Sequence, residues 1–237
     1  QFNKDMIIPF IILFLLGMVQ GAIGWIMVES GLVPKAMSVN HIKLATHFIT
    51  GLVLLCYTLW FALSISVPSR MKMVNKPLRK ITWAIIILLF FQLIYGSFMA
   101  GLHAATAAPT WPSINGQLIP DTIYDLRPGW KNFLDNKIMV QFIHRGLAYS
   151  ILVLVIIWWF KAKKIVGSPL FSKTKFILFL LVLLQVSLGI TTVVLSPFGN
   201  NLVWFGVAHQ LVAVLFLMSV VFMLYIIRPS VIQNRYF

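Results

Sequence analysis

Six apolar runs, each long enough to cross a bilayer, leave this chain little choice of fold. Crossing about 30 Å of hydrocarbon takes about 20 residues. Runs of that length lie at about Met6–Val28, His41–Ser64, Ile81–Leu102, Lys137–Phe160, Phe176–Leu195 and Val203–Ile227. In lipid each backbone N–H and C=O must be satisfied within the protein, so every run is predicted to be a helix. With 60% hydrophobic and only 10% charged residues, the chain reads as an all-α, polytopic membrane bundle and not as a soluble domain. Short links make the first and second spans, and the fifth and sixth, antiparallel neighbours.

The formal net charge of +14 is a topology signal. Arg70, Lys72, Lys76, Arg79 and Lys80 lie between the second and third spans. Lys161, Lys163, Lys164, Lys173 and Lys175 lie between the fourth and fifth, and Arg228 and Arg235 follow the sixth. Alternating helices put all of them on one side. Glu29, Asp121, Asp125 and Asp135 fall on the other. The positive-inside rule makes the basic side cytoplasmic, or the matrix side of a mitochondrial inner membrane. Read this way, the charge implies no nucleic-acid partner. The one cysteine, Cys56, lies in an apolar run, so no internal disulfide is expected. No signal peptide is visible, and the start at Gln1 looks cut.

Histidines are the residues these spans have to explain. His144 and His209 each sit in the second turn of a span, His47 is near the outer end of the second span, His103 closes the third, and His41 opens the second. An imidazole in a lipid-soluble segment costs free energy unless something binds it. His144 and His209 at matching depth on two helices suit the axial ligands of a haem clamped between them. The alternative is a pair of buried histidines hydrogen-bonded to neighbours, or wet interfacial residues. Zinc fits less well, because no further Cys, His or carboxylate accompanies the pair.

An internal repeat sharpens the pattern. Gln20-Gly-Ala-Ile-Gly24 in the first span matches Gln185-Val-Ser-Leu-Gly189 in the fifth, and each precedes a helix with an early histidine, His47 or His209. Repeats in membrane proteins commonly flank a functional site. The repeat predicts two further helices before residue 1. The six spans would then be the C-terminal part of an eight-helix protein with two pseudo-symmetric four-helix halves. Residues 1–66 would end the N-terminal half, 67–80 form an inner basic loop, and 81–237 make the C-terminal half with an outer loop at 103–136.

Other residues carry weaker expectations. Arg145 is a candidate partner for a haem propionate, or a snorkelling cation. Gln141 and Gln210 orient bound groups or join helices. Gly24, Gly96, Gly101 and Gly189 admit a macrocycle or, more simply, a neighbouring helix. Glu29 handles protons or is a solvated carboxylate. The outer loop, with Pro109-Thr-Trp-Pro112 and Arg127-Pro-Gly-Trp130, is expected to form a structured cap. Trp158, Trp159 and Trp204 read as interfacial belt residues.

Several of these stretches together are similar to the haem A synthase family of cytochrome oxidase assembly. They are Gly21-Ala-Ile-Gly-Trp-Ile-Met-Val-Glu-Ser-Gly-Leu32, Lys43-Leu-Ala-Thr-His47, Ala100-Gly-Leu-His-Ala-Ala-Thr106, Thr110-Trp-Pro-Ser-Ile-Asn-Gly116, Val140-Gln-Phe-Ile-His-Arg145, Gln185-Val-Ser-Leu-Gly-Ile190 and Ala208-His-Gln210. They run in order through nearly the whole chain. The resemblance implies an oxidoreductase of the plasma membrane of bacteria, or of the mitochondrial inner membrane, that oxidises a methyl group of haem O to the formyl group of haem A. It implies haem b held by His144 and His209, and substrate haem O near His47, which matches the second member of a histidine pair. The first member of that pair has no counterpart here, nor does an outer-loop cysteine pair that some members carry. Partners implied are membrane lipid, haem O synthase, other oxidase assembly proteins and an electron donor that the sequence does not name; homo-oligomerisation is left open. Two competing readings are a non-catalytic di-haem cytochrome in quinol electron transfer and a haem carrier.

Overall fold

The computed structural model describes residues 6–33, 38–199 and 202–228; Gln1 and Arg235 lie outside them. The helices are α1 (Ile7–Glu29), α2 (His41–Ser66), α3 (Lys76–Gly101), the short α4 (Asn132–Asp135), α5 (Lys137–Ala162), α6 (Pro169–Val194) and α7 (Leu202–Ile226). All but α4 are long and apolar enough to cross a membrane. The described residues form a helical bundle with six candidate membrane spans and almost no sheet.

Helices α3 and α6 begin earlier than hydropathy alone suggests, at Lys76 and Pro169 and not near Ile81 and Phe176. Hydropathy marks where the chain is apolar, whereas capping marks where a helix starts. The Asn75 side chain accepts from Leu78 N, and Ser168 accepts from Phe171 N. Each helix has a proline in its first turn, where a missing N–H is no loss. Lys76, Arg79, Lys80, Lys173 and Lys175 therefore ride on helix that extends past the apolar stretch.

Helices α3, α5, α6 and α7 form a four-helix bundle. Each of α3 and α6 packs against both α5 and α7, so α5 and α7 stand diagonally opposite. Helix α2 lies against α3 and α7, and α1 packs on α2. None of the residues of α1 is buried.

The main apolar core fills the end of the bundle that carries the basic loops, around Ile85, Val155, Trp158, Phe171, Leu178 and Phe216. Trp158 belongs to this core and not to an interfacial belt: its side chain is fully buried and its Nε1–H donates to Thr82 Oγ1 at 2.9 Å. Trp204 is 73% exposed, as a belt residue would be. A smaller cluster around Ala45, Phe98 and Val140 closes the opposite end. Between the two clusters lies a level of polar side chains.

At the basic end, two helix C-termini are capped by cations. Arg79 donates to the carbonyls of Leu224, at 2.8 Å, and Ile227. Lys175 Nζ donates to Ala162 O at 3.2 Å and Ile165 O at 3.1 Å. Both satisfy carbonyls that a helix end leaves unpaired. Two short strands, β1 (Met73–Val74) and β2 (Ile227–Arg228), pair in parallel beside them.

At the other end, the loop 103–136 folds into short turns tied by asparagines. Asn132 is buried, accepts from Leu126 N and donates to Leu126 O and Gly129 O. Asn136 accepts from Ile138 N at the start of α5 and donates to Thr122 O. The loop thus satisfies its own backbone and is fixed to the helix that carries His144.

Candidate functional site

Three helix pairs present the same arrangement at the same level of the bundle. One helix carries a glutamine and, four residues on, a glycine; the i, i+4 spacing puts both on one face, a turn apart. The next helix of the pair carries a histidine. The sets are Gln20, Gly24 and His47 on α1–α2; Gln92, Gly96 and His144 on α3–α5; Gln185, Gly189 and His209 on α6–α7.

In each set the glutamine amide meets the imidazole. Gln20 Nε2 lies 3.2 Å from His47 Nδ1 and 3.4 Å from its Nε2. Gln92 Nε2 lies 3.3 Å from His144 Nε2, and Gln185 Nε2 lies 3.1 Å from His209 Nε2. With the amide N–H donating, His144 and His209 are the tautomer protonated at Nδ1. The glycine then provides the surface against which the ring lies. A Cβ at Gly24 would come 2.9 Å from His47 Cε1, at Gly189 3.0 Å from His209 Cε1, and at Gly96 3.4 Å from His144 Cε1. These three glycines therefore admit an imidazole, rather than a macrocycle or a whole helix. Gly101 does admit a helix: a Cβ there would stand 2.6 Å from His41 Cβ.

The seats differ in how completely they are satisfied. Gln20 Oε1 accepts from Thr50 Oγ1 at 2.6 Å, and Gln20 Nε2 also donates to His47 O at 3.1 Å. The other two seats leave four buried polar atoms without a partner: Nδ1 of His144 and His209, and Oε1 of Gln92 and Gln185. Each costs about 1–3 kcal/mol when left unpaired, so four at one level mark a place built for a further interaction.

His144 and His209 come from the diagonal helices α5 and α7. His47 belongs to a separate seat between α1 and α2. Among the described residues, no three His, Cys, Asp or Glu come together as a metal-ion cage. A haem, which brings four nitrogens of its own and takes one or two imidazoles, suits this donor set better than zinc does.

Arg145 is anchored to the loop. Its guanidinium donates to the carbonyls of Thr110 at 2.7 Å, Ser113 at 3.1 Å, Ala108 at 3.3 Å and Pro112 at 3.4 Å, and to Gln141 Oε1 at 2.7 Å. Gln141 in turn donates to Ala104 O at 3.0 Å. The Arg145 Nε is buried and unpartnered. Gln210, Glu29 and His103 are exposed, His103 at a turn with φ of 51°. His41 Nε2 lies 3.3 Å from Asp135 Oδ1, within ion-pair range but without hydrogen-bond geometry, and its ring meets Phe98 edge-on. Gln92 is the site residue that sequence reasoning passed over. Its signal, Gln92-Leu-Ile-Tyr-Gly96, is the same five-residue pattern as in α1 and α6.

The profile of a family described as cytochrome oxidase assembly protein matches residues 1–221. A heme A synthase of Rhizobium rhizogenes is 35% identical over 78% of this chain and 50% of its own length. One from Wolbachia pipientis subsp. Culex pipiens is 37% identical over 88% of this chain and 60% of its own length. One from Flavobacterium psychrophilum is 34% identical over 95% of this chain and 65% of its own length. The chain thus spans between half and two thirds of these relatives. No solved structure matches it. The matched profile and the run of heme A synthase relatives, on a six-span bundle with histidines seated at one level, place the chain in the family of cytochrome oxidase assembly proteins.

Proposed function

We propose that this chain is the haem b-binding part, with one substrate-side histidine, of a haem A synthase, which oxidises a methyl group of haem O to a formyl group. The observation that carries the reading is the pair of seats at His144 and His209. Two imidazoles on diagonal helices each keep a buried, unpartnered Nδ1, and each lies on a glycine that leaves room for the ring. Such a pair would hold a haem between helices, each imidazole giving one ring nitrogen to the iron. Residues 81–237 then form the cofactor half and residues 1–66 the end of a substrate half, with His47 facing haem O.

Haem would supply the redox chemistry that methyl oxidation needs. The chain binds, orients and excludes water. His144 and His209 would hold the haem, and the apolar clusters at the two ends of the bundle would keep water from the level between them. Arg145, next to His144, is the proposed propionate partner through its unpartnered Nε–H. The loop end, where the histidines and Arg145 lie, faces the outside, since most of the lysines and arginines lie at the opposite end.

The test is a reduced-minus-oxidised absorption spectrum with haem extraction, on full-length protein and on His144→Ala, His209→Ala and His47→Ala. Low-spin haem b that is lost in either of the first two variants, with haem O or haem A in the extract, is the expected result. No haem in the wild type, or unchanged haem in the His144 and His209 variants, overturns the reading. Haem b that cycles reversibly while supplied haem O is never converted indicates an electron-transfer cytochrome instead.

A further inference from the structure

We propose that Gln92 and Gln185 are positioning residues that accept the Nδ1–H of His144 and His209, and that Thr50 bars Gln20 from doing the same for His47. The proposal rests on the haem reading above and divides its three histidines into two kinds.

A histidine that gives Nε2 to a metal keeps an Nδ1–H to donate. The acceptor of that hydrogen bond orients the ring and makes it a stronger ligand. In the α3–α5 and α6–α7 seats the two atoms left over are such a pair. Nδ1 of the ring is a buried donor and Oε1 of the glutamine is a buried acceptor, on side chains already in contact through their other nitrogens. Moving the amide from Nε2 to Nδ1 frees Nε2 for iron and satisfies both leftover atoms. The glycine one turn along holds the ring in place meanwhile.

The His47 seat lacks that freedom. Gln20 Oε1 accepts from Thr50 Oγ1 at 2.6 Å, which turns the amide so that Nε2, and not Oε1, faces His47 Nδ1 at 3.2 Å, and Gln20 Nε2 also donates to His47 O at 3.1 Å. Thr50 lies three residues after His47; the same register after His144 is Leu147 and after His209 is Val212, neither of which can donate. One hydroxyl thus separates a glutamine that can turn from one that cannot. His144 and His209 become strong, lasting ligands. His47 becomes a weaker one, as suits a haem that has to leave after reaction.

The experiment is redox titration and low-temperature EPR of the full-length protein with its bound haem, beside Gln92→Leu, Gln185→Leu and Val212→Thr. Weakening the imidazole destabilises ferric iron, so each variant should keep low-spin haem, raise its midpoint potential and shift its EPR signature. A purely structural role would change yield and leave the potential alone. Val212→Thr is nearly isosteric and decides the matter if the glutamine variants do not accumulate, because its hydroxyl should engage Gln185 as Thr50 engages Gln20. Wild-type haem with an unchanged potential in the variants overturns this proposal and leaves the haem reading standing. Wild type without haem overturns both.

Discussion

His209 turns its Cε1 edge to Gly189: a single carbon added to that glycine would come 3.0 Å from the imidazole Cε1. The same contact would be 2.9 Å for Gly24 and His47, and 3.4 Å for Gly96 and His144. The three glycines therefore predict a graded series. Gly189→Ala should push its ring off its seat, at a cost of about 1–3 kcal/mol for overpacking, or roughly five- to a hundredfold in haem retention. Gly96→Ala should be milder. Gly21→Ala meets nothing within 4 Å and should be neutral or stabilising, by up to about 1 kcal/mol of helix propensity. Haem per protein after purification measures all of these, and equal retention in Gly21→Ala and Gly189→Ala would refute the seat.

Arg145 predicts a local effect. Its guanidinium reaches four loop carbonyls and Gln141, a planar fork of donors that an ammonium cannot reproduce. Arg145→Lys should loosen residues 104–113 by about 1.5–3 kcal/mol, the range for bonds to a charged donor. Amide exchange there should rise roughly ten- to a hundredfold, while exchange in the middle of α3 and α6 stays slow. Hydrogen-exchange mass spectrometry reads this directly, and uniform exchange across loop and helices would contradict it.

Much of the architecture was legible because lipid imposes length. Each span announces itself by about 20 apolar residues. The Gln-x-x-x-Gly pattern on α1 and α6 was visible because a short loop brings the histidine soon after it. The third copy, Gln92 to Gly96, was hidden by the 34-residue stretch 103–136 between it and the helix of His144. Trp158 was misread for a different reason. Its helix is apolar nearly all round, so periodicity does not say which face is inside, and only packing reveals that its indole meets Thr82. The hydrogen bonds of Arg145 to loop carbonyls likewise depend on the loop's fold, which residue types alone do not determine.

Trp158 now carries a prediction for stability. It is fully buried between α3, α5 and α6, with Phe171 at 6.2 Å and Thr82 Oγ1 at 2.9 Å. Trp158→Ala should cost about 3–5 kcal/mol through the cavity it leaves. Trp158→Phe should cost only about 1 kcal/mol, since Thr82 still donates to Leu78 O. Thermal unfolding in detergent, followed by loss of monodisperse protein, ranks the two. A Phe variant as unstable as the Ala variant would show that the hydrogen bond, and not the volume, matters.

The orientation can be tested at two exposed positions on opposite ends. Leu118 lies in the loop 103–136 and is 80% exposed; Val166 lies between α5 and α6, beside Lys161, Lys163 and Lys164, and is 99% exposed. If the cations stay inside, Val166 is cytoplasmic and Leu118 is not. With Cys56→Ser as background, Leu118→Cys should react with a membrane-impermeant maleimide in intact cells. Val166→Cys should react only after the membrane is opened. The physical reason is the energy of translocating the charges near Val166, which no acidic neighbour in residues 161–175 offsets. The reverse labelling pattern would place the histidine seats at the cytoplasmic end and would remove the basis for an outward-facing site.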